Sequence, residues 1–319
     1  MHRVLTRVKK QWRSATLRTK GEPVAVTDVV TMAMSQSTHI ELIEQLSRNS
    51  RPYRDPLARI DWEHLDRDSY WLPESALSLH GVDSFEALPE PIHRALSQQE
   101  YLHFAGIDTW IKGLFMERLN HSMQSAGANT ALTRYRLHEL REQAGHALMF
   151  LELQKRAVTV PYRNPAVSSR IVALMTQYTP IDSLTYQLLM LIGSELPDRL
   201  NRMLRLHRSE ICPAVYDMIN LQIMDATRHI TQARDAVDSG LRQLQRRRPW
   251  MHALVRLAFR RIVALIFYPP AAVYERAGLK PGLQWQRAAQ SNAEHRRFIT
   301  ACIAPTRRLL AQSGFTLDW

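Results

Sequence analysis

The sequence predicts an all-α protein, a helical bundle with additional C-terminal helices and an irregular N-terminal lead-in, and three observations carry that expectation. Apolar residues recur with a helical period along most of the 319 residues. Only 11 glycines occur, and none sits in a Gly-rich phosphate loop. No alternating apolar and polar run bounded by turn residues reads as a sheet. With 45% hydrophobic and 23% charged residues, a chain of this length can bury a core without disulfide or metal staples.

Taken in order, residues 1–41 read as a basic arm and short helix, and residues 42–319 as the main helical domain. Much of the net charge of +12 lies in the arm, where Arg3, Arg7, Lys9, Lys10, Arg13, Arg18 and Lys20 meet no acid. Val4, Leu5, Val8 and Trp12 share a helical face there, so the arm is either a solvated tail or a contact for an anionic membrane or nucleic acid. Pro and Ser punctuation from Ser50 to Pro91 marks the lead-in. Helices are expected over Ile92–Gln124, Thr130–Ala157, Ser168–Tyr178, Ile181–His207 and Pro213–Arg246. Pro249 starts another, and Pro281 precedes a last one over Trp285–Ser313. The apolar run Ile262–Val273 is broken by Pro269 and Pro270 and is too short to span a bilayer. Cys212 and Cys302 form no C-x-x-C pattern, and no signal peptide is visible, so the expected setting is the cytoplasm.

Charged residues on apolar helix faces point to the chemistry. Asp108 stands in the stripe of Phe104, Ile111, Phe115 and Leu119, where a lone acid is costly unless paired or metal-bound. In the next helix Glu139, Glu142 and His146 line one face, while Leu137, Leu140, Ala144 and Leu148 fill another. Glu195 follows Leu188 and Ile192, just before the kink-prone Pro197. Asp225 and His229 lie one turn apart with Gln222 nearby. Asp108, Glu142, His146, Glu195, Asp225 and His229 together offer the oxygen and nitrogen ligation that two divalent irons require in a helix bundle. The spacing is acid-x-x-x-His rather than the Glu-x-x-His of di-iron helices. Ordinary ion pairs on helices give the same spacing, as expected of Glu117 with His121 at the surface. Three acids also precede a histidine by three residues, Asp61 with His64, Glu90 with His93 and Glu100 with His103, the first two in turn-rich sequence. Spacing therefore leaves both a metal site and structural pairs open.

Several segments decide more than spacing does. LIEQLSRNS leads to Ile60-Asp61-Trp62, YWLPESALSLHG starts at Tyr70, and RYRLHELREQAGHALMF runs from Arg134 to Phe150. Arg228-His229-Ile230, the AGL at Ala277–Leu279 and the closing SGFTLDW follow in order. With these, the chain from about residue 42 onward resembles the p-aminobenzoate N-oxygenase (AurF-like) family of ferritin-like di-iron proteins. The resemblance implies a bundle in which two Fe ions activate O2 to oxidise the nitrogen of a small-molecule amine substrate, fed by an external electron donor. A homodimer is one assembly consistent with it. Residues Phe104, Trp110, Ile111, Met149 and Phe150 are candidate pocket walls, or plain core.

The family's ligand pattern is only partly present. Its Glu-Glu-x-x-His falls on Glu142-Gln143 and His146, and its His-x-x-x-Glu-x-x-His on Gln222, Ala226 and His229. Glu195 and His146 match, and the first-helix glutamate falls at Ile107 or Asp108. Two explanations follow: each acid has shifted by one residue with a helix bulge restoring its aim, or the metal site has decayed into a metal-poor scaffold or binding protein.

Overall fold

The computed structural model describes residues 26–125, 130–157, 178–243 and 249–317. The basic arm, the expected helix over Ser168–Tyr178 up to its last residue, and the stretch just beyond Gln243 lie outside the described residues. The chain divides into two units, residues 1–42 and 43–319. In the first, the described part is the beginning of helix α1 (Val26–Ser50), longer than the short helix expected there.

In the second unit the lead-in is built from turns rather than long helices. It holds 3-10 turns at Pro56–Arg59, Trp62–His64 and Glu74–Ala76, then the short helix α2 (Asp83–Glu86). Asp55 and Asp61 cap the first two turns, their carboxylates accepting from the backbone N–H of Leu57 at 3.0 Å and Glu63 at 3.2 Å. Two indoles pin the segment: Trp62 donates to the Leu57 carbonyl at 2.9 Å and Trp71 to that of Asp66 at 3.0 Å.

Four long helices follow: α3 (Glu90–Ser125), α4 (Ala131–Ala157), α5 (Leu184–Leu204) and α6 (Pro213–Gln243). α3 packs along α4 and α5 along α6, while α4 meets α6 and α3 meets α5, which closes a four-helix bundle. α7 (Pro249–Phe267) lies against α5 and α3, α8 (Ala271–Arg276) against α3 and α9 (Gly282–Ser291), and α10 (Ala293–Gln312) against α5. The expected all-α bundle with additional C-terminal helices is therefore present, and the described residues contain no strand. α5 is the most enclosed member, buried from Thr185 to Leu204 at most positions. At Gly193 a Cβ would come 2.5 Å from the Phe115 ring, so the missing side chain is what lets α3 approach this closely.

Local chemistry corrects several boundaries. The expected Trp285–Ser313 helix is two, because Asn292 leaves helical geometry (φ −67°, ψ 120°) and its side chain accepts from the Glu294 N–H at 3.0 Å, capping α10. The helix expected from Ile181 begins at Leu184, since the Ser183 hydroxyl accepts from the Tyr186 N–H at 3.2 Å. Pro197 does not end α5, which continues to Leu204. Among the described residues no helix is long and apolar enough to cross a membrane.

One helix is inverted relative to ordinary amphipathicity. On α4, Leu137, Leu148 and Leu151 are 50%, 53% and 56% exposed, while Arg136, Glu139, Glu142, Gln143 and His146 are buried. The polar face turns inward because it is the face between α3 and α6. Of the candidate pocket walls, Phe104, Ile111, Met149 and Phe150 belong to the apolar core, with Trp110 partly buried against it.

Candidate functional site

The inward faces of the four bundle helices bound a small cavity with room for about one water molecule, lined among others by Asp108, Lys112, Gln143, His146, Gln222 and His229. α3 supplies Asp108 and Lys112 one turn apart, α4 supplies Gln143 and His146, and α6 supplies Gln222 and His229. Two acid–imidazole pairs cross between α4 and α6. His229 Nε2 lies 2.9 Å from Glu142, and His146 Nε2 lies 2.9 Å from Asp225. Each histidine thus takes its acid from the opposite helix rather than from its own preceding turn. The Gln143 side-chain amide lies 3.1 Å from His229 Nδ1.

Positive side chains complete this network. The Arg228 guanidinium bridges Glu142 at 2.8 Å and Asp225 at 2.5 Å. Lys112 reaches into the cavity and donates to Asp108 at 2.5 Å and to Gln222 at 3.4 Å. Glu195, fully buried, does not line the cavity: Arg199 donates to it at 3.0 Å, as does the Arg234 Nε, and the Thr306 hydroxyl lies 3.4 Å away. The six residues singled out by spacing are therefore distributed in three places. Glu142, His146, Asp225 and His229 form one network, Asp108 faces Lys112 at the cavity, and Glu195 pairs with arginines behind it.

Titration follows the same pairing. Burial alone would raise the Asp225 carboxyl, but the His146 hydrogen bond and the Arg228 charge bring it down to about 2. Burial opposes ionisation of Glu142 too, and His229 with Arg228 outweighs it, leaving that carboxyl below its ordinary value. Burial and the Lys112 charge lower the His146 imidazole, against the hydrogen bond and charge of Asp225. Burial also works against charge on His229, yet Glu139 and Glu142 raise it above the ordinary imidazole value. Burial raises Glu139.

Sequence spacing overlooked Lys112, Arg199, Arg228 and Arg234. A signal was there: Lys112 follows Asp108 by one turn, Arg199 follows Glu195, and Arg228 follows Asp225. Every acid in the candidate ligand set except Glu142 has a cation three or four positions on, and Glu142 shares the one on Asp225.

The family model for p-aminobenzoate N-oxygenase AurF matches residues 36–314. The chain belongs to this family. Its scaffold is accordingly of the di-metal oxygenase type. Similar proteins include the uncharacterized Rv0885 of Mycobacterium tuberculosis (strain ATCC 25618 / H37Rv) and Mb0909 of Mycobacterium bovis (strain ATCC BAA-935 / AF2122/97), each 24% identical over 298 residues, covering 86% of this chain and 83% of the relative. Among solved structures, two variants of an R2-like ligand-binding oxidase with a reconstituted Mn/Fe cofactor align at TM-score 0.49 and 13% identity, over 87% of this chain and 93% of theirs.

Does the donor set of this AurF-family chain fit two metal ions? Among the described residues, the ligand atoms of the bundle-centre acids and histidines do not gather three at a time at metal-binding separations. Gln143, Gln222 and Ala226 stand where the family resemblance implies a glutamate, a histidine and a glutamate. Asp108, Glu142, Asp225 and Glu195 already hold ammonium or guanidinium groups, which leaves Glu139 as the buried acid on the inward face of α4 with no such partner among the described residues, so two divalent ions would have to displace four cations of the chain itself. The residues present do not fit a two-iron centre.

Proposed function

We propose that this chain is a metal-poor, non-catalytic member of its family, a scaffold or binding protein whose bundle centre holds the chain's own cations and ordered water rather than two irons. The observation that carries the reading is the Lys112 ammonium, which stands inside the cavity on Asp108 and reaches Gln222. A fixed cation there occupies the electrostatic role a metal would have. Around it the charges balance: Arg228 answers Glu142 and Asp225, and Arg199 with Arg234 answers Glu195.

The cavity wall also supports an occupant. Gln143 Oε1, His146 Nδ1, Asn201 Oδ1 and Gln222 Nε2 are buried without a hydrogen-bond partner, and all four residues line the cavity. An unmet buried polar group costs about 1–3 kcal/mol, so ordered water, which offers both donors and acceptors, stabilises this wall.

A second reading keeps the O2-dependent oxidation of an amine nitrogen, with two Fe ions and an external electron donor. The crossing of Glu142 with His229 and of Asp225 with His146 favours it, because each pair brings a carboxylate onto an imidazole across α4 and α6. It requires Lys112, Arg199, Arg228 and Arg234 to leave their acids. Anaerobic loading of the purified chain with Fe(II) separates the two readings. Near-zero iron at the bundle centre, with the helical circular dichroism intact, is expected. Two irons per chain whose binding is lost in Glu142→Ala would replace the first reading by the second.

A further inference from the structure

A second cluster of acids and imidazole lies away from the cavity, where the lead-in meets the bundle, and its argument rests on nothing said of the bundle centre. Glu74 comes from the third 3-10 turn, Glu86 from the last residue of α2, and His93 from the first turn of α3. One ligand atom from each lies within 4.8 Å of the other two. His93 is buried, whereas Glu74 and Glu86 are exposed, with side chains 48% and 37% accessible.

Hydrogen-bond direction fixes the ring. His93 Nε2 lies 3.0 Å from the Phe85 carbonyl oxygen, which can only accept, so Nε2 carries a proton and donates it. The ring is further held by stacking on Phe85, with centroids 4.2 Å apart. Nδ1 then faces the Glu74 carboxylate at 3.0 Å. In a ring protonated only at Nε2, that contact sets lone pair against lone pair. Something positive must stand between them, a second ring proton or a bound cation.

The charge around the ring selects the cation. Glu86 adds a second carboxylate, and among the described residues Glu74 and Glu86 pair with His93 and His80, not with lysine or arginine. A single ring proton answers Glu74 and leaves Glu86 to the Gly81 N–H at 2.6 Å and to His80 at 3.4 Å, whereas a divalent ion answers both carboxylates. The Nε2–H donated to a backbone carbonyl is also the outer bond that orients a ligating histidine and makes Nδ1 a better donor atom.

We propose that Glu74, Glu86 and His93 form a mononuclear site for a borderline divalent cation of the zinc class. Imidazole nitrogen with two carboxylate oxygens suits that ion, and ligand distances of ~2.0–2.2 Å place neighbouring ligand atoms at about the separation seen between Nδ1 and Glu74. Water completes the coordination on the exposed side. The His80 Nδ1, 3.4 Å from Glu86 Oε1, flanks it. The ion ties the third 3-10 turn and α2 to the start of α3.

The test uses the full chain stripped of metal with a chelator. Zinc is titrated in competition with a chelating dye, thermal unfolding is followed with and without ZnCl₂, and cobalt is substituted to read its visible absorption. The expected result is one tight zinc per chain, a rise in Tm with zinc, and a weakening of binding by about tenfold or more in both Glu74→Gln and Glu86→Gln. Glu86→Gln is the decisive variant because its exposed side chain can change without unfolding the protein. Glu142→Gln, at the bundle centre, keeps the tight zinc. A Tm indifferent to zinc, or equal zinc affinity in wild type and both variants, would overturn the proposal and leave His93 and Glu74 as a protonated ion pair.

Discussion

Two clusters of carboxylates and imidazoles stand in this protein, and they differ in where the balancing positive charge comes from. At the bundle centre Lys112, Arg199, Arg228 and Arg234 answer Asp108, Glu195, Glu142 and Asp225. Where the lead-in meets α3, Glu74 and Glu86 surround His93 with no such cation among the described residues. The residue types are alike, yet in the first cluster lysine and arginine side chains pair with the acids, and in the second only histidines do among the described residues. Metal chemistry in a helix bundle therefore depends less on counting acids and histidines than on asking which of them the chain has already neutralised.

The largest effect that would break this comparison lies at Lys112. Lys112→Met leaves Asp108 buried without a partner, and urea unfolding should show a loss of about 3–5 kcal/mol. Adding Asp108→Leu should recover most of it, since an apolar pair of similar volume is tolerated where a lone buried charge is not. A Lys112→Met protein as stable as wild type would mean the ammonium does not balance that site.

Arg228 comes next. Its guanidinium serves two carboxylates at once but is partly exposed, so Arg228→Met should cost about 2–3 kcal/mol in the same assay. A loss below about 0.5 kcal/mol would show that water replaces it and that the centre has room for another cation.

The pH dependence of stability sharpens the contrast through a third place. Asp225, held at about 2 by His146 and Arg228, contributes stability that is fully present above its unfolded value near ~4 and is lost as pH falls from there through about 2. Glu100, fully buried with only the Ser78 hydroxyl and N–H to hold it, is pushed by burial up to about 7. The sign is opposite: the folded protein keeps a proton that the unfolded chain releases, so stability falls as pH rises from ~4 through about 7. Urea midpoints from pH 2 to 8 should show both limbs, roughly a few kcal/mol each at most. Asp225→Asn should remove the acid limb and Glu100→Gln the near-neutral one.

The smallest expected effect is on the outward face of α4. Leu148→Ser should change stability by less than about 0.5 kcal/mol, because the side chain is half exposed. A concentration-dependent loss larger than this would place that face in an interface between copies of the chain.

Much of this architecture was legible in the sequence, and the failures have physical causes. The periods that located α3, α4 and α6 come from burial, which acts along whole helices. Asn292 and Ser183 were misread because a single side chain accepting a backbone N–H outweighs a continuing apolar pattern. The same-face placement of Glu142 with His146 and of Asp225 with His229 was correctly derived, but spacing on one helix cannot say that each imidazole takes its acid from the other helix. His93 shows the same limit. Glu90 three residues before it pairs instead with Arg94 at 2.8 Å, and His93 turns to Glu74, which only the folded lead-in brings near.

The most direct test of the account measures anaerobic Fe(II) binding in two proteins side by side, both carrying Glu86→Gln so that the lead-in cluster does not contribute. One is otherwise wild type, and the other combines Lys112→Leu, Gln143→Glu and Ala226→Glu, which removes the central cation and restores two carboxylates at i−3 of His146 and His229. If the chain's own charges have taken the metals' place, the first protein stays iron-free and the second gains iron by at least tenfold in affinity. Two irons per chain in the first protein, with no gain in the second, would contradict it.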